Sequence, residues 1–375
     1  MLVSASVSLG LVPCPPTHWD AEGPLGCMPV RTDFLRQINL PVGITTQDAE
    51  SAWLHEHEDA LLASLSGAGA VHFQGFSLPR TKPGFRRFCN AFASLQPCTD
   101  PLASVGVRSL LSSTDGVYEA VNTFSKTFIG LHNDATREIT APFAAFVCFE
   151  PATAGGEFLV ADGRAILADL APSVVELLRK RSLSVCVASV PVGALADAGP
   201  LGVGAVRLLK QTIWWLLEQM TPLRLRVCPS ADGRTLQILE RPKPPINRHP
   251  RTFLPSFFSS IHSQSRYLQK QRVESADSPV AMTDVFYGDL SQIEPKVLTH
   301  IEEVVTRHTR SLEMVRGDVV ILDSYQVLHG RDTFEGPREH GVVWLTGRAF
   351  HSESAEKSER ISLSSLVNRF AVKGN

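Results

Sequence analysis

Leu131-His132-Asn133-Asp134 is the stretch on which the reading of this chain turns. His132 and Asp134 form an H-x-D pair. In a β-strand, residues i and i+2 project to the same side, so both side chains can grip one metal ion from a strand end while Asn133 turns away. Near the far end of the chain, Asp323-Ser324-Tyr325-Gln326-Val327-Leu328-His329-Gly330-Arg331 supplies a second histidine, 195 residues beyond Asp134. Two imidazoles and one carboxylate are the donor set of a facial triad, which holds Fe(II) and leaves the opposite face open. An H-x-D tripeptide is common by chance, and either histidine alone reads as an ordinary core or surface residue. The sequence around each ligand is what gives the set its weight.

The composition narrows the class. The chain has 375 residues, 43% hydrophobic and 20% charged, an ordinary globular composition with room for one large domain with insertions or for two. A net charge of −2 supplies no basic field for nucleic acid. Seven cysteines (Cys14, Cys27, Cys89, Cys98, Cys148, Cys186, Cys228) are scattered without a C-x-x-C, which reads as reduced thiols in an intracellular, cytoplasmic protein. Met1 to Val12 is mildly apolar but has neither a basic start nor a cleavage site, so no leader is expected. Prolines and glycines break up the apolar stretch Val185 to Val206, and Ile213 to Leu217 is too short to cross a bilayer. No membrane span is expected, and nothing in the chain indicates an oligomeric state.

Periodicity supplies the organisation. Residues 1–45 are Pro- and Gly-rich and read as an irregular arm. Asp48 is placed to cap a helix through Ala49 to Leu65, with Trp53, Leu54, Leu61, Leu62 and Leu65 as its apolar stripe. Ala70 to Phe76 reads as a strand, Pro83 to Leu95 as a helix, and Val117 to Val121 as a strand entering the H-x-D. Ala144 to Phe149 is a continuous apolar strand, and Phe158 to Ala161 another, with a turn over Pro151 to Gly156 between them. A helix follows over Arg164 to Arg181, interrupted near Pro172. Residues 182–275 read as a helical and irregular insertion that caps the core, with an amphipathic helix from about Ala205 to Met220. Ile293 to Thr309 is a helix, Gly317 to Leu322 a buried strand leading to His329, and Val342 to Leu345 the next strand. The boundaries this implies are one domain over 46–350 and a tail over 351–375. Strands on both sides of a mid-chain insertion, with helices near the ends, predict a mainly β fold with flanking helices around a sandwich core.

With these blocks in place, the chain resembles the taurine dioxygenase superfamily of Fe(II)/2-oxoglutarate-dependent oxygenases, and within it the syringomycin-biosynthesis hydroxylase-like branch. The resemblance rests on Val117-Tyr118-Glu119, on the H-x-D, and on Gly155-Gly156-Glu157 through Ala161-Asp162-Gly163-Arg164-Ala165. It continues through His249-Pro250-Arg251-Thr252, Phe286-Tyr287-Gly288-Asp289, Gly317-Asp318-Val319, and His329-Gly330-Arg331 through Pro337-Arg338. It implies a double-stranded β-helix, or jelly roll, with His132, Asp134 and His329 holding Fe(II) and with 2-oxoglutarate and O2 as co-substrates. It also implies an arginine for the far carboxylate of 2-oxoglutarate. Arg338 is the first candidate for that role, with Arg348 and Arg331 behind it, because a guanidinium fork matches a carboxylate.

Two departures from the family pattern stand out. Relatives often carry Thr after the Gly-Gly-acidic turn, where its hydroxyl helps hold 2-oxoglutarate; this chain has Phe158. Before the distal histidine it has Asp323-Ser324 where relatives often have Asp-Asn. A carboxylate at Asp134 argues against halogenation, since halogenating relatives have Gly or Ala there. The implied activity is oxidation of an unactivated C–H bond of a small molecule, such as an amino acid or specialised metabolite, with release of succinate and CO2. Phe158 keeps open a second reading, a jelly-roll metal-binding or scaffold protein without turnover. Other features carry less. His55-Glu56-His57-Glu58-Asp59 resembles a metal cluster but sits on the first helix, with His55, Glu58 and Asp59 on its solvated face; Trp214-Trp215 and Phe257-Phe258 read as core, and Asn122 and Thr123 as strand-end polar residues near the substrate position of relatives.

Overall fold

A computed structural model describes residues 11–12, 14–15, 33–100, 110–120, 126–135, 139–221, 223–272 and 283–347. Most of the expected arm, Val121 to Thr123, Arg348 and the expected tail lie outside these residues.

Two sheets form the centre. The larger has Leu35–Asn39, Ala70–Gln74, Val319–Asp323, Phe143–Glu150, Glu339–Gly347, Val117–Glu119 and Leu110–Ser112 in that spatial order, with Leu95–Cys98 also pairing to Glu339–Gly347. The smaller has Arg310–Leu312, Phe158–Asp162, Val327–Arg331 and Ile129–His132. Alternation along the strands explains why they are apolar throughout. Ala144, Phe146 and Cys148 meet Phe158, Val160 and Val327 between the sheets. Ala145 and Val147, on the opposite face, pack with Leu61, Phe85 and Phe88 from the N-terminal helices. The outer face of the smaller sheet offers Leu131, Leu159, Ala161 and Leu328 to residues of Gly163–Asp169, Pro172–Arg181 and Pro295–His308. The order helix, sheet, sheet, helix is the expected jelly-roll sandwich with flanking helices; helix and strand shares are comparable, so the whole is more mixed than mainly β.

The expected helix over Ala49 to Leu65 is two helices, Gln47–Glu56 and Glu58–Ala68. Thr46, not Asp48, caps the first, accepting from Ala49 N. Just past the break at His57, the Glu58 carboxylate turns inward to accept from the Ala93 and Ser94 N–H groups at 3.0 and 2.6 Å. Glu58 is therefore buried, where the sequence placed it on a solvated face. The second helix is Lys82–Asn90, and Leu95, expected at its end, begins a strand.

The insertion is more regular than its sequence suggests. Leu183–Pro191, Arg226–Pro229 and Thr235–Leu239 form a sheet completed by Asp284–Tyr287, from beyond the expected end of the insertion. The long helix starts at Gly199 and lays Val206, Leu209, Ile213 and Leu217 on Val192, Val227 and Leu236. Phe257 and Phe258 are core as expected, but Trp214 and Trp215 are 47% and 57% exposed. No described helix is long and apolar enough to cross a membrane.

Candidate metal centre

Antiparallel pairing closes the gap of 195 residues between the two ligand segments. His329 lies directly across the strand pair from His132, and their ring centroids are 4.6 Å apart. Close approach of the strands needs Gly330, where an added Cβ would sit 2.5 Å from Ile129 O. His132 is the last residue of its strand, and Asp134 lies just past it. Asp134 Oδ2 is 3.1 Å from His329 Nε2, and its Oδ1 is 3.7 Å from His132 Nε2. Among the described residues this is the only cluster of His, Cys, Asp or Glu able to hold a metal ion, with its donor atoms within 4.8 Å of one another.

The donor chemistry fits a divalent transition metal. His132 Nδ1 is 2.9 Å from Gly130 O. A carbonyl can only accept, so the ring proton sits on Nδ1 and Nε2 is left as the electron-pair donor. His329 is held by packing instead. Its Nδ1 is buried with no hydrogen-bond partner among the described residues. Phe158 stacks on its ring at 6.0 Å and 17°, and Phe146 lies against it at 4.7 Å.

Asn133 turns away from the cluster, as the strand geometry predicts, and does structural work there. Its amide donates to Ser324 O at 2.9 Å and Val327 O at 3.3 Å, and accepts from Ser259 N at 2.9 Å. The His249 block fastens the same turn. His249 Nδ1 accepts from the N–H groups of Arg251 and Thr252, which leaves the proton on Nε2, 2.8 Å from Asp323 Oδ2.

Two of the three candidate arginines are buried, and Arg348 lies outside the described residues. Arg331 is two residues past His329 and pairs in register with Phe158, the position where relatives carry the hydroxyl. Its guanidinium donates to Thr127 O at 2.6 Å. Arg338 donates through Nε to Gly156 O at 3.2 Å and contacts His340 Nδ1 at 3.1 Å. Both guanidiniums flank the Phe334 ring, at 4.7 and 5.7 Å. Burial lowers the pKa of Arg331 to about 10; burial and the charge of Arg331 lower Arg338 to about 10. Burial and the same two cations push His340 well below its ordinary range, so it is neutral and accepts from Arg338. Among the described residues, no carboxylate pairs with Arg338. A buried, desolvated guanidinium in that setting is a strong site for an organic anion.

The profile of the taurine catabolism dioxygenase TauD, TfdA family matches residues 39–345. The chain belongs to this family. As a TauD-family member it is a 2-oxoglutarate-dependent dioxygenase whose chemistry uses Fe(II), 2-oxoglutarate and O2. A search of curated proteins returns no significant match. Among solved structures, the chain is similar to PvcB from Pseudomonas aeruginosa, at 15% identity over 84% of this chain and 86% of that one, with a TM-score of 0.47. It is similar to an asparagine oxygenase solved with Fe(II), 3-hydroxyasparagine and succinate, at 14% identity over 80% of each chain, with a TM-score of 0.45. A third is a putative taurine dioxygenase from Burkholderia xenovorans, at 16% identity over 78% of this chain and 83% of that one, with a TM-score of 0.43.

The candidate centre was only partly visible in the sequence. The H-x-D and the distal histidine carry a local pattern. His262, which accepts from Leu131 N–H, and Glu302, which faces it, carry none: the fold alone brings them beside this strand.

Proposed function

We propose that this dioxygenase oxidises an unactivated C–H bond of a small molecule, an amino acid or a specialised metabolite, by hydroxylation, desaturation or cyclisation. His132, Asp134 and His329 hold Fe(II) in this reading. The observation that carries it is the convergence of their donor atoms within 4.8 Å in a buried site. Bound Fe(II) supplies the O2 activation that converts 2-oxoglutarate to succinate and CO2 while the substrate is oxidised.

The protein's own contribution is to bind, orient and exclude water. Arg338 takes the far carboxylate of 2-oxoglutarate, with neutral His340 holding its guanidinium in place. Arg331 adds a second positive charge nearby. Phe146 and Phe158 line the back of the distal ligand and keep water from it. Phe158 does not argue for a centre without turnover, because its ring supports His329 where relatives spend the position on a hydroxyl. No acid–base pair is required of the protein, and none is proposed.

The test is succinate release. Fe(II) and 2-oxoglutarate are loaded anaerobically, O2 is admitted, and succinate is measured with and without a panel of amino acids. Wild-type protein is expected to release succinate slowly alone and faster with a substrate; His132→Ala is expected to release none. Equal release from both proteins would sink the assignment of the site.

A further inference from the structure

The Ile129–His132 strand is an edge of the smaller sheet, and an edge leaves N–H groups without ladder partners. One of them, Leu131 N–H, is met by a side chain. It donates to His262 Nδ1 at 2.8 Å. His262 is 2% exposed and sits in the short helix Ile261–Gln264. Because Nδ1 accepts, the ring proton is on Nε2, which lies 3.1 Å from Glu302 Oε2. Glu302 comes from the Pro295–His308 helix and is also held by Arg272, whose Nε is 3.1 Å from Oε1.

The peptide unit that meets His262 on one side meets the metal centre on the other. Its N–H is that of Leu131, and its carbonyl is that of Gly130, which accepts from His132 Nδ1 at 2.9 Å. His262, one peptide group and His132 are therefore joined by hydrogen bonds, and the Glu302 carboxylate faces the far side of the His262 ring at ion-pair distance without a formed hydrogen bond. The approach depends on glycine: a Cβ at Gly130 would lie 2.5 Å from His262 O and 2.8 Å from its Nδ1.

We propose that Glu302 and His262 are positioning residues for the ligand His132, acting through the Gly130–Leu131 peptide. This rests on the reading of His132 as a metal ligand. The Glu302 carboxylate makes the His262 ring a stronger acceptor. That ring draws on Leu131 N–H and polarises the peptide, and the Gly130 carbonyl becomes a stronger acceptor for His132 Nδ1–H. The charge contact acts on the first hydrogen bond and that bond on the next, and the last raises the donor strength of His132 Nε2 and fixes its ring. If the pair only satisfied an edge N–H, metal affinity would be indifferent to the charge on Glu302.

The experiment is an anaerobic titration of the full chain with Co(II), followed by its visible absorption bands, beside the denaturation midpoint of the metal-free protein. Glu302→Gln keeps the acceptor and removes the charge, at a side chain 28% exposed and so tolerant of change. It is expected to weaken Co(II) binding about tenfold. His262→Leu is expected to weaken it at least as much. His262→Gln, whose amide can accept from Leu131 and donate to Glu302, is expected to restore most of the affinity. Wild-type affinity in Glu302→Gln overturns the proposal, whatever happens to the metal-free midpoint. Absence of Co(II) binding by wild type, or undiminished binding by His132→Ala, overturns the metal-centre reading itself, and the relay falls with it.

Discussion

Phe158 shows how one side chain can be misread when only its neighbours in sequence are known. Judged against relatives that carry Thr, it removes a hydroxyl. In the fold it stacks on His329 and packs on Phe146 at 4.9 Å, inside the core between the sheets. Removing a buried aromatic ring of this kind leaves a cavity and costs about 3 kcal/mol or more. Phe158→Thr is therefore expected to lower the unfolding free energy by that order and to weaken Fe(II) binding, without improving affinity for 2-oxoglutarate. Both are read by denaturation and by equilibrium binding; a variant as stable as wild type that bound 2-oxoglutarate more tightly would show that the position belongs to the co-substrate.

The elements around the ligands are knit by Asn133. Its amide reaches the turn before the Val327–Arg331 strand and the segment after the Pro255–Phe257 strand, so one side chain ties three parts of the chain together. Asn133→Ala would leave a buried N–H and two carbonyls without that partner, a loss of about 2–3 kcal/mol in stability. Because the turn it holds sets the start of the His329 strand, Co(II) affinity is expected to fall with it. Unchanged stability, measured by urea denaturation, would mean that water replaces the amide and the anchor is dispensable. At this scale the sequence is legible where periodicity is strong. The apolar run Ala144 to Phe149 and the striped helix over Pro295–His308 are as expected. It fails where a tertiary contact overrides local preference. Glu58 turns inward to cap backbone N–H groups some 35 residues away, and nothing near it in sequence announces that. The insertion was unreadable for a related reason: its fourth strand, Asp284–Tyr287, lies beyond the segment that seemed to contain it.

Across the whole molecule, two sheets between two helical layers place a histidine from one strand opposite a histidine from its neighbour. The cluster of His132, Asp134 and His329 was legible as a candidate because metal chemistry demands particular side chains at particular spacings. The proposed arginine was narrowed by sequence only to three candidates, because burial, not spacing, sets Arg331 and Arg338 apart from surface guanidiniums. The relay behind His132 was not legible at all. The central claim is that His132, Asp134 and His329 make one iron site that also receives 2-oxoglutarate. The most direct test is the visible absorption band that Fe(II) and chelated 2-oxoglutarate give together in the absence of O2. Wild-type protein is expected to develop it on addition of both and of neither alone, and His329→Ala is expected to lose it. A band of equal strength in His329→Ala, or none in wild type at saturating iron and 2-oxoglutarate, would contradict the account.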